Sequence, residues 1–168
     1  ARLEDAMFFF KDDKSKKLNE FAADLGGIVF QAKLGTMREK TDRIIHTTEW
    51  LAGELAPGLI EPAKRAASLA KADLLSAMVN EFPSLQGVMG REYALLGGET
   101  PDVARAITEH YLPKGAGDAL PESWPGVGLA LADRVDSLVG LIAIGMRPTG
   151  SADPFGLRRA TLGIVQIL

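Results

Sequence analysis

The chain has 168 residues, of which 46% are hydrophobic and 24% are charged, and its formal net charge is −3. This composition is typical of a soluble globular domain, and the small negative charge argues against broad, non-specific nucleic-acid binding, so any RNA contact has to be local. The absence of cysteine excludes disulfides and thiolate metal sites. The longest apolar stretch, residues 138–146, is much shorter than the roughly 20 residues of a membrane-spanning helix.

Hydrophobic periodicity predicts helices along most of the chain. The predicted helices cover residues 3–12, 16–25, 36–55, 61–80, 85–96, 102–111 and 127–145, with a last helix from Asp153 onward. Only residues 27–31, with the sequence GIVFQ, indicate an extended segment, which is too short to form a stable sheet alone. The sequence therefore predicts an all-α protein.

The predicted helix 127–145 is apolar nearly all round but carries Asp133, Arg134, Asp136 and Ser137. Asp133 shares one face with Ser137, so at least one carboxylate is expected to face the interior. A buried carboxylate stays ionised only beside a cation or a set of hydrogen-bond donors. We therefore expect Asp133 to have an interior partner.

The chain contains two histidines. His110 lies at the end of a predicted helix, where an imidazole can interact with the last carbonyl groups. His46 lies within a helix beside polar residues, and we expect it at the surface. Neither position predicts a metal ligand.

The last predicted helix follows the sequence RPTGSADPFGLRRA, residues 147–160. Asp153 is suited to the N-cap and Pro154 to the first helical position, so the helix is expected to begin at Asp153. Arg158 and Arg159 then project beside the helix start. Taken alone, such arginines are usually solvated.

The most basic stretch contains Lys14, Lys16 and Lys17, close to residues 8–10, which are all phenylalanine. A run of charge is usually a solvated face, and only some positive patches bind nucleic acid.

Several blocks resemble the bacterial glycyl-tRNA synthetase β subunit family. The similar blocks, which follow the family's order, are RLEDAMFFFKDD (2–13), GIVFQAKLGTMREKTDRI (27–44), KADLLSAMVNEFPSLQGVMGREYAL (71–95), EHYLPKGAGDALP (109–121), LADRVDSLVGLIAIGMRPTG (131–150) and RPTGSADPFGLRRATLGIVQIL (147–168). The resemblance implies a piece of a cytoplasmic, ATP-dependent ligase that joins glycine to its tRNA.

In that family the adenylate-forming site belongs to a separate α subunit. The resemblance thus implies that this piece has no catalytic residue and no cofactor of its own, while ATP is used by the whole enzyme. Its implied partners are the α subunit, the tRNA for glycine and the remainder of the β subunit. The phosphate-contacting candidates are the basic residues Arg158, Arg159, Arg147, Lys14, Lys16 and Lys17.

A more distant resemblance connects AASLAK (66–71) and LADRVD (131–136) with HD-domain metal-dependent phosphohydrolases. Their metal-binding His-Asp dyad corresponds to Ala70 and Lys71 or, in another register, to Ala72 and Asp73. Lys40 or a neighbour corresponds to the first histidine ligand. The resemblance implies a degenerate HD-like helical bundle over residues 35–168, truncated at its C-terminal end, after a helical appendage at residues 1–34.

No complete metal site is expected, because the dyad histidine is missing in both registers. We hypothesise that Lys71 supplies the positive charge that a metal would have supplied and pairs with Asp133. The alternative is that Lys71 extends to solvent along an apolar surface.

The sequence therefore predicts a non-catalytic region that supports tRNA binding and subunit assembly. Two alternatives remain open: an active HD-type phosphohydrolase, and a packing module without RNA contact.

Overall fold

The computed structural model describes residues 2–149 and 152–168. Within them lie nine α-helices and one two-stranded hairpin, which confirms the all-α class. The helices are α1 (Arg2–Asp13), α2 (Leu18–Ala23), α3 (Met37–Leu55), α4 (Ile60–Leu69), α5 (Ala77–Glu81), α6 (Val88–Leu96), α7 (Pro101–Glu109), α8 (Trp124–Ala143) and α9 (Leu157–Ile167). None of the helices in this described part is long and apolar enough to cross a membrane.

The expected extended segment is part of an antiparallel hairpin. Strand β1 (Val29–Gln31) pairs with β2 (Gly35–Thr36), so it does not stand alone. Gly35 has a φ of +86°, which permits the tight return of the chain. Thr36 then caps α3, because its hydroxyl accepts a hydrogen bond from the Glu39 N–H while the Glu39 carboxylate accepts one from the Thr36 N–H. The hairpin thus leads directly into α3.

The hydrophobic core lies among α3, α4, α7 and α8. Ile44, Leu69, Ile107 and Leu129, one from each helix, are each at most 1% exposed. Leu18 and Phe21 of α2 belong to the same buried cluster, together with residues of α4 to α8. The division into an appendage at residues 1–34 and an HD-like bundle at residues 35–168 stays a prediction.

The helix predicted over residues 61–80 is wrong as one continuous element. Helix α4 ends at Leu69, a 3₁₀ turn covers Ala72–Leu75, and α5 begins after Ser76, whose hydroxyl accepts a hydrogen bond from the Val79 N–H. The Asp13 carboxylate also accepts hydrogen bonds from the first two N–H groups of α5. These two caps stabilise a new helix start that periodicity does not reveal.

The helix predicted from residue 85 begins later, at Val88. Pro83–Leu85 forms a 3₁₀ turn instead, and Gly87 has a φ of +82°, which an α-helix cannot contain.

The last helix begins at Leu157, so its predicted start at Asp153 with Pro154 in the first turn is wrong. Gly156 adopts the left-handed conformation, with a φ of +66°, and separates Pro154 from the helix. The Asp153 carboxylate nevertheless accepts hydrogen bonds from the Leu157 N–H at 2.8 Å and the Arg158 N–H at 3.0 Å. Asp153 therefore caps α9 across an intervening turn.

Candidate functional site

The hypothesised ion pair between Lys71 and Asp133 is present. The ammonium Nζ of Lys71 lies 2.7 Å from Asp133 Oδ2. Lys71 is only 5% exposed, so its side chain does not extend to solvent. Because α4 ends just before Lys71 and α8 carries Asp133, the end of α4 directs this lysine into the interior.

A second buried lysine reaches the same carboxylate from α3. Lys40 is 3% exposed, and its Nζ lies 3.0 Å from Asp133 Oδ1, although that oxygen receives no well-directed hydrogen bond. The same Nζ lies 3.0 Å from Asp136 Oδ2 and 2.8 Å from Ser137 Oγ. Lys40, which the resemblance placed at or next to the first histidine ligand, thus joins the two carboxylates of α8.

Arg43 completes the cluster, one helical turn after Lys40. Its Nε lies 2.6 Å from Asp136 Oδ1, and its second terminal nitrogen lies 3.2 Å from Oδ2. We call Lys40, Arg43, Lys71, Asp133 and Asp136 the ionic cluster. Every carboxylate oxygen in it lies close to a cation of the same chain.

His110 lies against the ionic cluster and is fully buried. Its Nδ1 is 2.6 Å from the Ile107 carbonyl oxygen, so Nδ1 donates and Nε2, 2.9 Å from Lys71 Nζ, accepts. The expected contact of His110 with a carbonyl at the end of α7 is therefore present. Burial and the neighbouring Lys71 lower the pKa of His110 well below its usual value, so the ring is neutral. His46 is exposed, as predicted.

The ionic cluster keeps Asp133 charged. Burial alone would raise the pKa of this carboxyl group, but Lys71 and Lys40 outweigh burial and hold the pKa below its usual range. Burial lowers the pKa of Lys71, and Asp133 partly offsets that effect. The carboxylate 2.7 Å away favours the charged form of Lys71 and so opposes the effect of burial.

The other predicted positions of the degenerate site do not join the carboxylates. Ala70 and Ala72 are buried apolar residues of the core. Asp73 Oδ2 accepts hydrogen bonds from the Gly87 N–H at 2.6 Å and the Gly90 N–H at 3.2 Å. Asp73 thus holds the start of α6 and contributes to the cluster only through its charge near Lys71.

Arg134, next to Asp133, is a structural residue whose role the sequence did not reveal. Its guanidinium donates hydrogen bonds to four carbonyl oxygens at 2.9–3.2 Å, those of Ala130, His110, Tyr111 and Pro113. It therefore satisfies carbonyl groups just beyond the end of α7. On its other side lies Gly163 of α9, where an added Cβ would be 2.6 Å from Arg134 Nε.

An open pocket of about 470 Å³ adjoins the ionic cluster. Its walls come from the turn before α6, the segment that follows α7, helix α8, and Phe155 with the first turn of α9. The chemically distinctive lining residues are Gln86, Tyr111, Lys114, Asp133, Phe155 and Arg159.

A family model described as glycyl-tRNA synthetase beta subunit matches residues 1–168. The chain belongs to the glycyl-tRNA synthetase beta subunit family. It is 54% identical to the glycine–tRNA ligase beta subunit of Trichodesmium erythraeum over 99% of its length, and 52% identical to those of Geotalea uraniireducens and Myxococcus xanthus over its whole length. The chain spans 24% of each of these relatives.

The phosphate-contacting candidates of this beta-subunit segment are all exposed, but the structure does not gather them at one place. Arg159 lines the pocket together with Lys114, which the sequence did not single out. Lys14 and Lys16 instead lie over the rings of Phe10 and Phe21, with Nζ 5.5 and 5.7 Å from the ring centroids. Their binding to RNA, like that of Lys17, Arg147 and Arg158, stays a prediction.

In residues 2–149 and 152–168, no three His, Cys, Asp or Glu side chains are placed together to hold a metal ion. Both carboxylates of α8, those of Asp133 and Asp136, already contact lysine or arginine side chains.

Proposed function

We propose that this segment is a non-catalytic helical part of the β subunit of an enzyme that uses ATP to join glycine to tRNA in the cytoplasm. It supports tRNA binding and assembly with the α subunit and with the rest of the β subunit. The observation that carries the non-catalytic part of the proposal is the ionic cluster, because lysine and arginine occupy the carboxylates that a metal-dependent site would need.

Each carboxylate oxygen of the ionic cluster that could bind a metal ion already lies beside a lysine or arginine side chain. Asp133 Oδ1 and Oδ2 lie 3.0 and 2.7 Å from Lys40 and Lys71, and Asp136 Oδ1 and Oδ2 lie 2.6 and 3.0 Å from Arg43 and Lys40. Both ring nitrogens of His110 are also engaged. A divalent cation would have to displace buried ammonium groups, which disfavours an active phosphohydrolase.

Metal content and hydrolysis test this alternative directly. The complete enzyme, dialysed against a chelator and then incubated with Mn²⁺, should retain no near-stoichiometric metal attributable to this segment. The matched variant Lys71→Asp restores a carboxylate at the lost dyad position, and its metal content is compared with that of the wild type. Tight metal in the wild type, with phosphodiesterase turnover that Asp133→Asn abolishes, would establish the phosphohydrolase instead.

The tRNA part of the proposal is supported by Arg159 and Lys114, which line a surface pocket, and by Arg158, the sequence neighbour of Arg159. Guanidinium groups match phosphate oxygens in charge and geometry. Since the whole chain is slightly acidic, these residues provide a local rather than a general attraction for RNA.

Reversing the charges of Arg158 and Arg159 to glutamate in the complete enzyme tests this role. We expect the affinity for glycine tRNA to fall about tenfold or more, and the slope of log affinity against log salt to flatten by about one or two units. The matched control reverses Arg38 and Arg65, two exposed arginines that do not line the pocket. Equal affinity and equal salt slope in the two double variants would favour a packing module without RNA contact.

A further inference from the structure

The pocket beside the ionic cluster has a lining that phosphate contacts alone do not explain. It combines cationic, aromatic and amide side chains in about 470 Å³, within the range of roughly 300–1,000 Å³ that is usual for small-molecule sites. A site that served only to attract the RNA backbone would need the cations but not a concave space with aromatic and amide side chains.

The charges in the pocket orient a phosphorylated ligand. Lys114 and Arg159 are exposed and attract phosphate, whereas Asp133, which also lines the pocket, carries a negative charge and repels it. Arg134 also lines the pocket, but its guanidinium is engaged by backbone carbonyl groups. The phosphate of a ligand should therefore bind at Lys114 and Arg159.

The rest of the lining suits a nucleobase. Phe155 is 38% exposed and offers a ring on which a base can stack. Gln86 donates its amide N–H to the Tyr111 hydroxyl at 2.8 Å, so its amide oxygen is oriented and can accept a hydrogen bond from a base. Aromatic and amide groups in one pocket recognise the face and the edge of a base respectively.

We propose that this pocket binds one unpaired nucleotide, with its base against Phe155 and its phosphate at Arg159 and Lys114. The inference rests on the proposed role of Arg159 in tRNA binding and names the part of the ligand that the pocket accepts. The nucleotide comes either from an unpaired position of tRNA or from a free nucleoside monophosphate, and the two sources have the same chemistry.

The test uses the complete enzyme with Phe155 replaced by 4-trifluoromethylphenylalanine, so that a single fluorine resonance reports on the pocket. The probes are glycine tRNA, AMP, and ribose 5-phosphate as a ligand without a base. We expect tRNA or AMP to shift the resonance and ribose 5-phosphate to leave it unchanged. A shift with tRNA alone identifies an unpaired tRNA nucleotide as the source, and a shift with AMP alone identifies the free nucleotide.

A variant that fills the pocket separates this inference from the proposed function. Ser84→Trp adds bulk at an exposed lining residue without changing charge, and Asn19→Trp, on the exposed surface of α2, is the matched control. We expect only Ser84→Trp to abolish the fluorine shift. It should also lower the affinity for tRNA or AMP, whichever shifts the resonance, about fivefold or more, which is the loss expected when one base no longer stacks. These results would support the inference.

Other results would overturn it. An unchanged fluorine resonance at saturating tRNA and at millimolar AMP would exclude a nucleotide in the pocket. Equal shifts with AMP and ribose 5-phosphate would exclude recognition of the base. In either case, a loss of tRNA affinity on reversing the charges of Arg158 and Arg159 would leave the proposed function intact.

Discussion

The ionic cluster and the start of α9 both concentrate charge, yet they differ in how far that charge is exposed to solvent. In the cluster, Asp133 and Asp136 are surrounded by cations of the same chain at 2.6–3.0 Å. At α9, Arg158 and Arg159 are exposed, and Arg159 borders an open pocket. The cluster's charges therefore contact one another in the interior, whereas the Arg159 guanidinium faces solvent beside a pocket. Three predictions test this contrast.

The largest expected effect comes from removing the carboxylate that Lys40 and Lys71 share. Asp133→Asn leaves two buried ammonium groups without their common partner, which should reduce the free energy of local unfolding by about 3–5 kcal/mol. Hydrogen exchange of the α4 and α8 amides in the complete enzyme measures this change. The control Asp42→Asn removes an exposed partner of Arg38 and should cost less than about 0.5 kcal/mol. Similar losses in both variants would contradict a structural role of the cluster.

A smaller effect depends on pH and on His110. Burial and Lys71 lower its pKa well below the usual 6.5, so below about pH 6.5 the unfolded chain binds a proton that the folded chain does not. Stability therefore falls as pH decreases, by up to about 1.4 kcal/mol per pH unit. Between pH 6 and 5 this slope should become shallower in His110→Gln but not in His46→Gln, whose side chain is exposed.

Hydrogen exchange at these two pH values, corrected for the intrinsic exchange rate, gives the slope for each variant. The same slope in His110→Gln as in the wild type would show that His110 is not the group responsible. Asp133, whose pKa lies below its usual range, adds its own loss of stability only at lower pH, as the pH falls from about 4 toward its folded-state pKa.

The smallest expected effect is at the start of α9. Asp153→Ala removes the acceptor of the Leu157 and Arg158 N–H groups and should reduce local stability by about 1 kcal/mol. Faster exchange of these two amides, with no change in α4, is the expected result. The control Asp12→Ala replaces an exposed residue of α1 and should leave α9 unchanged. Protection of α9 that persists in Asp153→Ala would show that packing alone fixes its start.

Periodicity predicted the helical class, and the apolar helix predicted that Asp133 needs an interior partner. The resemblance to HD domains then pointed to Lys71 as that partner, as one of two alternatives, and the structure shows the pair. The sequence did not predict that Lys40 and Arg43 contact Asp136. Those contacts depend on how α3 is rotated against α8, and both helices carry enough apolar residues to permit several orientations.

The wrong boundaries at α5 and α6 share one physical reason, which is that side chains distant in sequence determine where these helices start. Asp13 caps α5 across 64 residues of chain, and Asp73 holds the start of α6 through the Gly87 N–H. The start of α9 was predicted wrongly for another reason. Asp153 and Pro154 match the usual pattern of a helix N-terminus, but the left-handed Gly156 delays the start of the helix by about one turn. Local patterns locate helices better than they locate their ends.

The contact between Arg134 and Gly163 has a mechanical consequence. The Arg134 guanidinium, which donates hydrogen bonds to carbonyl groups after α7, also packs against Gly163 of α9. No room remains at Gly163 for a side chain. A change inside the bundle that moves Arg134 would therefore tilt α9 and carry Arg158 and Arg159 with it. If α9 contacts tRNA as proposed, an interior substitution that moves Arg134 should therefore also change the affinity for tRNA.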